Sequence, residues 1–353
     1  MYIVLAILIF GILIATHELG HFLTAKACGV QVNEFAVGMG PAIWKTQKGE
    51  TRYSLRILPL GGFCALEGED EATENPRAFT NQPVWKRFLI LIAGAAMNFL
   101  TGLLVLMLIF SRSPYFVGST VTDLEEDFRY GGESGLMVGD EILRIDGHRV
   151  WYVDDFQTYM SRSEDGTVDM VVLRDGRRVT LSDYPLQQEE FEIDGEIVER
   201  YGITFNVIRG NLWEKLKYAC YSAYDFVRLV VMSLGDLIRG AVGVNELSGV
   251  VGIVDTISQV GRESSSRSAA LVNIAYLGSF IAVNLAVMNL LPIPALDGGR
   301  IFFLLVTWVL EKILGRKIDP KYEWYIHFAG LVLLLGLMAY VMFNDIMRIV
   351  HGT

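Results

Sequence analysis

Apolar residues in this chain gather into long unbroken runs rather than into the three-and-four spacing of a half-buried helix. Met1–Ala25, Phe88–Phe110, Ala269–Leu291 and Tyr325–Phe343 each offer close to the ~20 apolar residues that carry a helix across a bilayer. They predict a polytopic α-helical membrane protein with about four transmembrane helices. A fifth run, Ile301–Leu314, is too short to span alone and ends in Glu311 and Lys312. It either continues the third element after a break or lies at the interface. Asn211–Gly240 is interrupted by Asp225, Arg228, Asp236 and Arg239. That pattern predicts an amphipathic helix, lying on the membrane surface or packed on an outer domain. Ser264–Ser268 reads as a polar linker.

Between the runs the pattern changes. Val32–Trp44 and Thr51–Leu66 are rich in β-branched and aromatic residues and are punctuated by Gly38, Gly40, Gly49, Gly61 and Gly62. They predict short strands joined by turns, a membrane-associated β region at about 31–67. Such a sheet beside a membrane site either offers an edge to an extended substrate or is purely structural. Residues 115–208 read as a small mixed domain. Ile142, Ile145 and Val150 suit strand positions around an Asp146-Gly147 hairpin turn. Val168–Leu173 and Arg178–Leu181 flank a second turn at Arg174-Asp175-Gly176-Arg177, and Asp154–Met160 fits a short helix.

Composition agrees with a membrane protein that has a water-soluble part: 52% of the 353 residues are hydrophobic and the mean hydropathy is +0.37. The net charge of -10 is unevenly spread. Ser111 to Gly210 holds 21 acidic and 10 basic residues and no lysine, which argues against nucleic-acid binding. Lys26, Arg77, Lys86 and Arg87 lie between spans one and two, and Arg300, Lys312, Arg316, Lys317 and Lys321 between spans three and four. The opposite side has only Arg112, Arg262, Arg267 and Arg348 near its span ends. The heavier loops are expected in the cytoplasm and the acidic domain outside it. The first 24 residues lack a basic leader and are expected to be a retained span, not a cleaved signal, with the N-terminus extracytoplasmic. Cys28, Cys64 and Cys220 form no paired motif, so no disulfide framework is expected.

Chemistry concentrates at two points. His17-Glu18-Leu19-Gly20-His21 sits inside the first apolar run. Two imidazoles four residues apart share one helix face and can reach one metal ion. An acidic residue near mid-bilayer costs roughly 2.5–3.5 kcal/mol, which marks Glu18 as a candidate functional group. The second point is Asn289-Leu-Leu-Pro-Ile-Pro-Ala-Leu-Asp297-Gly-Gly-Arg300, at the end of the third run. Two prolines and two glycines break a helix, and broken backbone at membrane depth is tolerated where it lines an enclosed cavity. Asp297 is therefore a candidate third ligand; two histidines and a carboxylate leave zinc a fourth position for water. A plain helix end, capped by the glycines, is the competing reading.

These motifs carry a resemblance. The sequence resembles the site-2 protease family of intramembrane zinc metalloproteases, of the bacterial RseP/RasP type. That family has H-E-x-x-H in its first span, a later N-x-x-P-x-P-x-x-D-G motif, and a PDZ insertion between its second and third core spans. Gly135 to Gly147 resembles the core of such a PDZ domain, with Ser134 where alanine is usual. Leu247 to Ile253 resembles the family's LSGPVGI segment, with Val250 where proline is usual, and there is room for one PDZ domain only. The implied layout is an N-terminal membrane core at 1–110, an extracytoplasmic α+β PDZ domain at 111–210, an amphipathic helix and linker at 211–268, and a C-terminal membrane core at 269–353. By resemblance, His17, His21 and Asp297 bind Zn²⁺ and Glu18 is the general base. Asn284 and Asn289 are candidates to hydrogen-bond substrate or the oxyanion, or else to bond helix to helix. The resemblance implies single-span membrane protein substrates, such as an anti-sigma factor or remnant signal peptide, pre-cleaved by another protease. The active site is expected toward the cytoplasmic side of the cell membrane. The alternatives are a membrane-anchored zinc protease cutting at the surface, a non-catalytic PDZ scaffold, and a metal transporter. A transporter needs ionisable residues through several spans, and spans two and four are nearly free of them.

Overall fold

Apolar runs this long become helices because hydrocarbon leaves the backbone no other partner than itself. In the computed structural model, which describes residues 1–69, 73–125, 128–163, 166–193, 196–243, 246–315 and 321–351, the first run is α1 (Tyr2–Ala27). It leads into β1 (Val32–Lys48) and β2 (Thr51–Leu66), and then α2 (Val84–Phe110). Helical segments Tyr2–Ala27, Val84–Phe110, Arg267–Asn289 and Tyr325–His351 are long and apolar enough to cross a membrane. With its sheet regions the chain is a polytopic membrane protein. Two compact units are present: Met1–Ser111 with Leu216–Thr353, and Arg112–Lys215.

The strands β1 and β2 form more than a hairpin. Each bends at glycines, Gly38 and Gly40 in one and Gly61 in the other, at φ of 82–90° that only glycine adopts without strain. Each strand then pairs twice. Phe35 faces both Tyr53 and Cys64, while Tyr53 faces both Phe35 and Thr46. The spatial order of segments is 42–48, 51–58, 32–37, 62–66; the two outer pairs are antiparallel, the central pair runs in parallel register from Glu34 opposite Arg52 to Val37 opposite Leu55, and 62–66 lies at one edge. The turn at Gly49-Glu50 folds back to the end of α1: Lys26 Nζ reaches Glu50 Oε1 at 2.7 Å, and Arg77 grips the same carboxylate at 2.6 and 2.8 Å.

The unit Arg112–Lys215 contains β3 (Tyr115–Leu124), β4 (Glu141–Ile145), β5 (His148–Arg149), α3 (Val153–Met160), β6 (Val168–Arg174), β7 (Arg177–Tyr184), β8 (Glu189–Ile193), β9 (Glu196–Arg200) and β10 (Ile203–Arg209). The main sheet runs β10-β3-β4-β6-β7, with β5 on β4, while β8 and β9 pair separately. Both expected turns form, with Asp146-Gly147 and Asp175-Gly176 at positive φ. The core is Ile142, Ile145, Phe156, Met170 and Val172. Buried Asp140 is held by Arg174 at 2.7 and 2.8 Å. First and last strands are neighbours, Tyr115 facing Arg209, so the chain enters and leaves this unit at one place.

In the membrane unit follow α4 (Leu212–Arg239), α5 (Val250–Glu263), α6 (Arg267–Asn289), α7 (Asp297–Leu314) and α8 (Lys321–His351). The expectation for α4 is corrected. Its face of Ala219, Ala223 and Phe226 is buried against Leu106 of α2 and Val283 of α6, and Phe226 meets the rings of Tyr276 and Phe280 at 5.3 and 5.2 Å. The apolar face has a protein partner among the spans, so neither a headgroup layer nor the other domain is needed to cover it. Unforeseen in the sequence, α5 packs Ile257 against Ala6, Phe10 and Leu13 of α1. Span four, Tyr325–Phe343, holds no aspartate, glutamate, lysine or arginine, and charged residues follow it on the same helix. Buried Asp345 accepts the Gly249 and Gly252 N–H groups at 2.9 Å, capping α5, and Arg348 holds its other oxygen at 2.7 Å. Arg316 and Lys317, used for the charge asymmetry, lie outside the described residues.

Helix contacts follow the small-residue rule for membranes, where close backbone approach substitutes for the hydrophobic effect. Gly20 of α1 lies on the Ala93 carbonyl of α2, and Gly102 of α2 lies on the Ser279 carbonyl of α6. The first of these contacts sets the site.

Candidate metal centre

One helical turn separates His17 from His21, and the Gly20 contact presses this face of α1 onto α2. Gly94 lies directly beneath both imidazoles; a methyl group there would sit 2.6 Å from His17 Cε1. From the other side comes Asp297. Helix α6 ends at Asn289, residues 290–296 run outside any helix, and α7 begins at Asp297 itself. The glycines were expected to break a helix, but they start one. Gly298 packs on the Leu290 and Leu291 carbonyls and Gly299 on Ile293, too close for any side chain. The prolines supply the break. Ala295 adopts φ 76°, a left-handed conformation costly for alanine, and its N–H is taken by His327 Nδ1 of α8 at 3.1 Å. His327 is therefore a strut of this loop, with its ring on Phe303.

Asp297 Oδ2 lies 3.1 Å from His17 Nε2 and 3.3 Å from His21 Nε2, and the two Nε2 atoms are 3.2 Å apart. Among the described residues this is the group of histidine, cysteine and acidic side chains whose ligand atoms come within 4.8 Å of one another. A physical test shows that a cation fits. His21 Nδ1 is 2.8 Å from the Ile90 carbonyl, which can only accept, so that nitrogen carries the proton and Nε2 of the neutral ring is a bare lone pair. Asp297 Oδ2 is buried and makes no hydrogen bond. Lone pairs converging on a buried carboxylate oxygen repel one another unless a positive ion lies between them. Two imidazoles and a carboxylate are a donor set for zinc with a coordination position left for water.

Glu18, between the histidines, projects to the same pocket of about 440 Å³, whose lining includes His17, His21, Cys64, Asn289, Asp297 and Arg300. Glu18 lies against the edge segment 62–66: a methyl group on Gly62 would sit 3.5 Å from Glu18 Cγ. Arg300 on α7 forms an ion pair with Glu69, which follows β2, and so ties α7 to the sheet. Asn289 is in the lining; Asn284, half-buried on α6, is not. His148 and His351 are exposed, and neither is in that lining. The three cysteines are free.

The sequence reading missed Asn98. It is 1% exposed on α2, 3.5 Å from His17 Nδ1 and 3.3 Å from Thr16 Oγ1. A polar amide within an apolar span was the available signal. Arg300 and Glu69 were equally unremarked as a pair, since nothing in sequence brings them together.

The chain is similar to known proteins over nearly its whole length. A protein of Clostridium perfringens that bears a zinc metalloprotease name is 33% identical over 347 residues, covering 98% of each chain. The regulator of sigma-W protease RasP of Bacillus subtilis is 27% identical over 424 aligned positions, with 97% of each chain covered. The metalloprotease MmpA of Caulobacter vibrioides is 28% identical, over 96% of this chain and 94% of its own. Since the model of peptidase family M50 also matches from residue 5 to residue 337, the chain belongs to family M50, the site-2 proteases, whose named relatives are zinc metalloproteases.

Proposed function

We propose that this protein is an intramembrane zinc endopeptidase that cuts single-span membrane proteins within or near their transmembrane segments. The observation that carries the proposal is the convergence of His17 Nε2 and His21 Nε2, on a helix apolar enough to cross a bilayer, with Asp297 Oδ2 at the start of α7. Zinc held by these three side chains supplies a Lewis acid and a water that ionises near neutral pH. Glu18 takes the proton of the attacking water on its carboxylate and returns it to the leaving amide nitrogen. Asn289, in the pocket lining, hydrogen-bonds the substrate strand or the developing oxyanion. Asn284, outside that lining, is assigned to hydrogen bonding between helices.

A substrate helix must lose its internal hydrogen bonds before a carbonyl can reach the site. The edge segment 62–66, which pairs on one side only and lines the pocket, supports binding of the unwound strand by sheet extension. The unit Arg112–Lys215 is read as a PDZ domain on the extracytoplasmic side, which recognises a substrate end exposed by an earlier protease. The excess of lysine and arginine in the loops flanking the site supports a cytoplasmic orientation for the catalytic residues. A relative named as a regulator of sigma-W supports a membrane-bound regulatory substrate such as an anti-sigma factor. A surface zinc protease would share the metal and the base but not the need for an unwound transmembrane substrate. A scaffold with structural zinc would have no use for Glu18 in the pocket.

The test is cleavage of candidate single-span proteins by the purified chain in detergent, with product ends sequenced. Cuts inside the apolar segment, abolished by a zinc chelator, are expected. Glu18→Gln is expected to lower turnover by about 10²–10⁴-fold or more with zinc still bound. Cuts confined to soluble flanks would favour the surface protease, and full turnover by Glu18→Gln would remove that residue from its role.

A further inference from the structure

We propose that Asn98 is a positioning residue for the metal centre: through a hydrogen-bond relay it fixes His17 in the tautomer that turns Nε2 toward the metal. The inference rests on the reading of His17, His21 and Asp297 as zinc ligands. Its basis is a count of protons. Thr16 Oγ1 lies 3.0 Å from the Leu13 carbonyl and 3.3 Å from the Asn98 amide oxygen. A hydroxyl has one proton, so it cannot donate to both of these acceptors. The amide nitrogen of Asn98 faces His17 Nδ1 at 3.5 Å in the same arrangement.

Amide oxygen and nitrogen are nearly the same size, and their assignment is decided by the network. Exchanging them resolves the conflict. His17 Nδ1–H then donates to the Asn98 oxygen, the Asn98 nitrogen donates to Thr16 Oγ1, and the Thr16 hydroxyl donates to the Leu13 carbonyl. Each of these donors has one acceptor, and the relay ends on a backbone carbonyl that can only accept. The result matches the other histidine, whose Nδ1–H is fixed by the Ile90 carbonyl at 2.8 Å. Both Nε2 lone pairs then face Asp297 Oδ2, at 3.1 and 3.3 Å. Partners of this kind orient the ring and raise its basicity, and their loss typically costs 10–100-fold in metal affinity. Burial sharpens the effect: Asn98 is 1% exposed, so no water can take its place in the apolar contact between α1 and α2.

The experiment measures zinc affinity by chelator competition on the purified full-length chain in detergent, for the parent, Asn98→Leu and Asn98→Asp. Leucine keeps the shape and removes the acceptor; aspartate keeps an acceptor for Nδ1–H. Zinc binding is expected to weaken about 10–100-fold in Asn98→Leu and to stay within about threefold of the parent, or tighten, in Asn98→Asp. Parental affinity in Asn98→Leu would overturn the proposal. So would a loss of affinity in Asn98→Asp, which decides the matter alone if the leucine variant does not fold. If instead the parent binds no zinc, or binds it undiminished after His21→Ala, the ligand assignment itself fails, and that outcome is distinct from a failure confined to Asn98.

Discussion

Two features of single residues decide whether the site exists. The spacing of His17 and His21 puts both rings on one face of α1, and this much could be read from sequence because helical periodicity alone requires it. What sequence could not give is the floor beneath them. Gly94 in an apolar run looks like any small residue of a membrane helix, yet a methyl group there would meet both imidazoles. Gly94→Ala should therefore leave α2 helical, since alanine is the better helix former. It should displace the rings and lower turnover by about 10²-fold, the scale of a ~1 Å misplacement. Turnover compared with unfolding temperature separates the two effects; parental activity would mean the rings have room to move. Asp297 was legible as chemistry beside a helix break. That it opens α7, with the glycines packed on residues 290–294, was not, because Gly-Gly in sequence signals an end as readily as a close contact.

The elements show where periodicity runs out. Asp146-Gly147 and Asp175-Gly176 announce hairpins because two successive positive φ values favour those residues, and both turns form. The doubling of β1 and β2 into four paired segments is invisible to a local reading, since Gly38, Gly40 and Gly61 mark bends without saying what pairs after them. Helix α5 was missed because its cap comes from Asp345, far along the chain. The docking of the β1–β2 turn makes a prediction about pH. Hydrogen bonds from Arg77 and then Lys26 hold the Glu50 carboxylate down, from an ordinary 4.5 to about 2. A group whose folded value is depressed stabilises the fold above its unfolded value and loses that contribution as pH falls through the folded one. Hydrogen exchange of residues 44–52, corrected for intrinsic rates, should quicken between pH 4.5 and pH 2. In Glu50→Gln it should already be fast at neutral pH and flat across that window. An equal acid response in both proteins would show that Glu50 does not anchor the turn.

At the scale of the whole molecule, the fold brings together groups from opposite ends of the chain: α1 supplies two imidazoles and the Glu18 carboxyl, α7 a carboxylate, α2 the surface against which they pack, and the sheet an edge. The broad layout was readable because apolar length is a physical requirement of the bilayer. The packing of α4 on α2 and α6 was not, because an amphipathic pattern states that one face is covered without stating by what. Zinc-edge X-ray absorption of the purified chain is the most direct measurement of the central claim. It should show two imidazole nitrogens at about 2.0–2.1 Å with the remaining donors oxygen, and Asp297→Ala should lose one oxygen donor or the metal itself. Sulfur scattering at about 2.3 Å, which would place Cys64 on the metal, or an unchanged spectrum after Asp297→Ala, would contradict it.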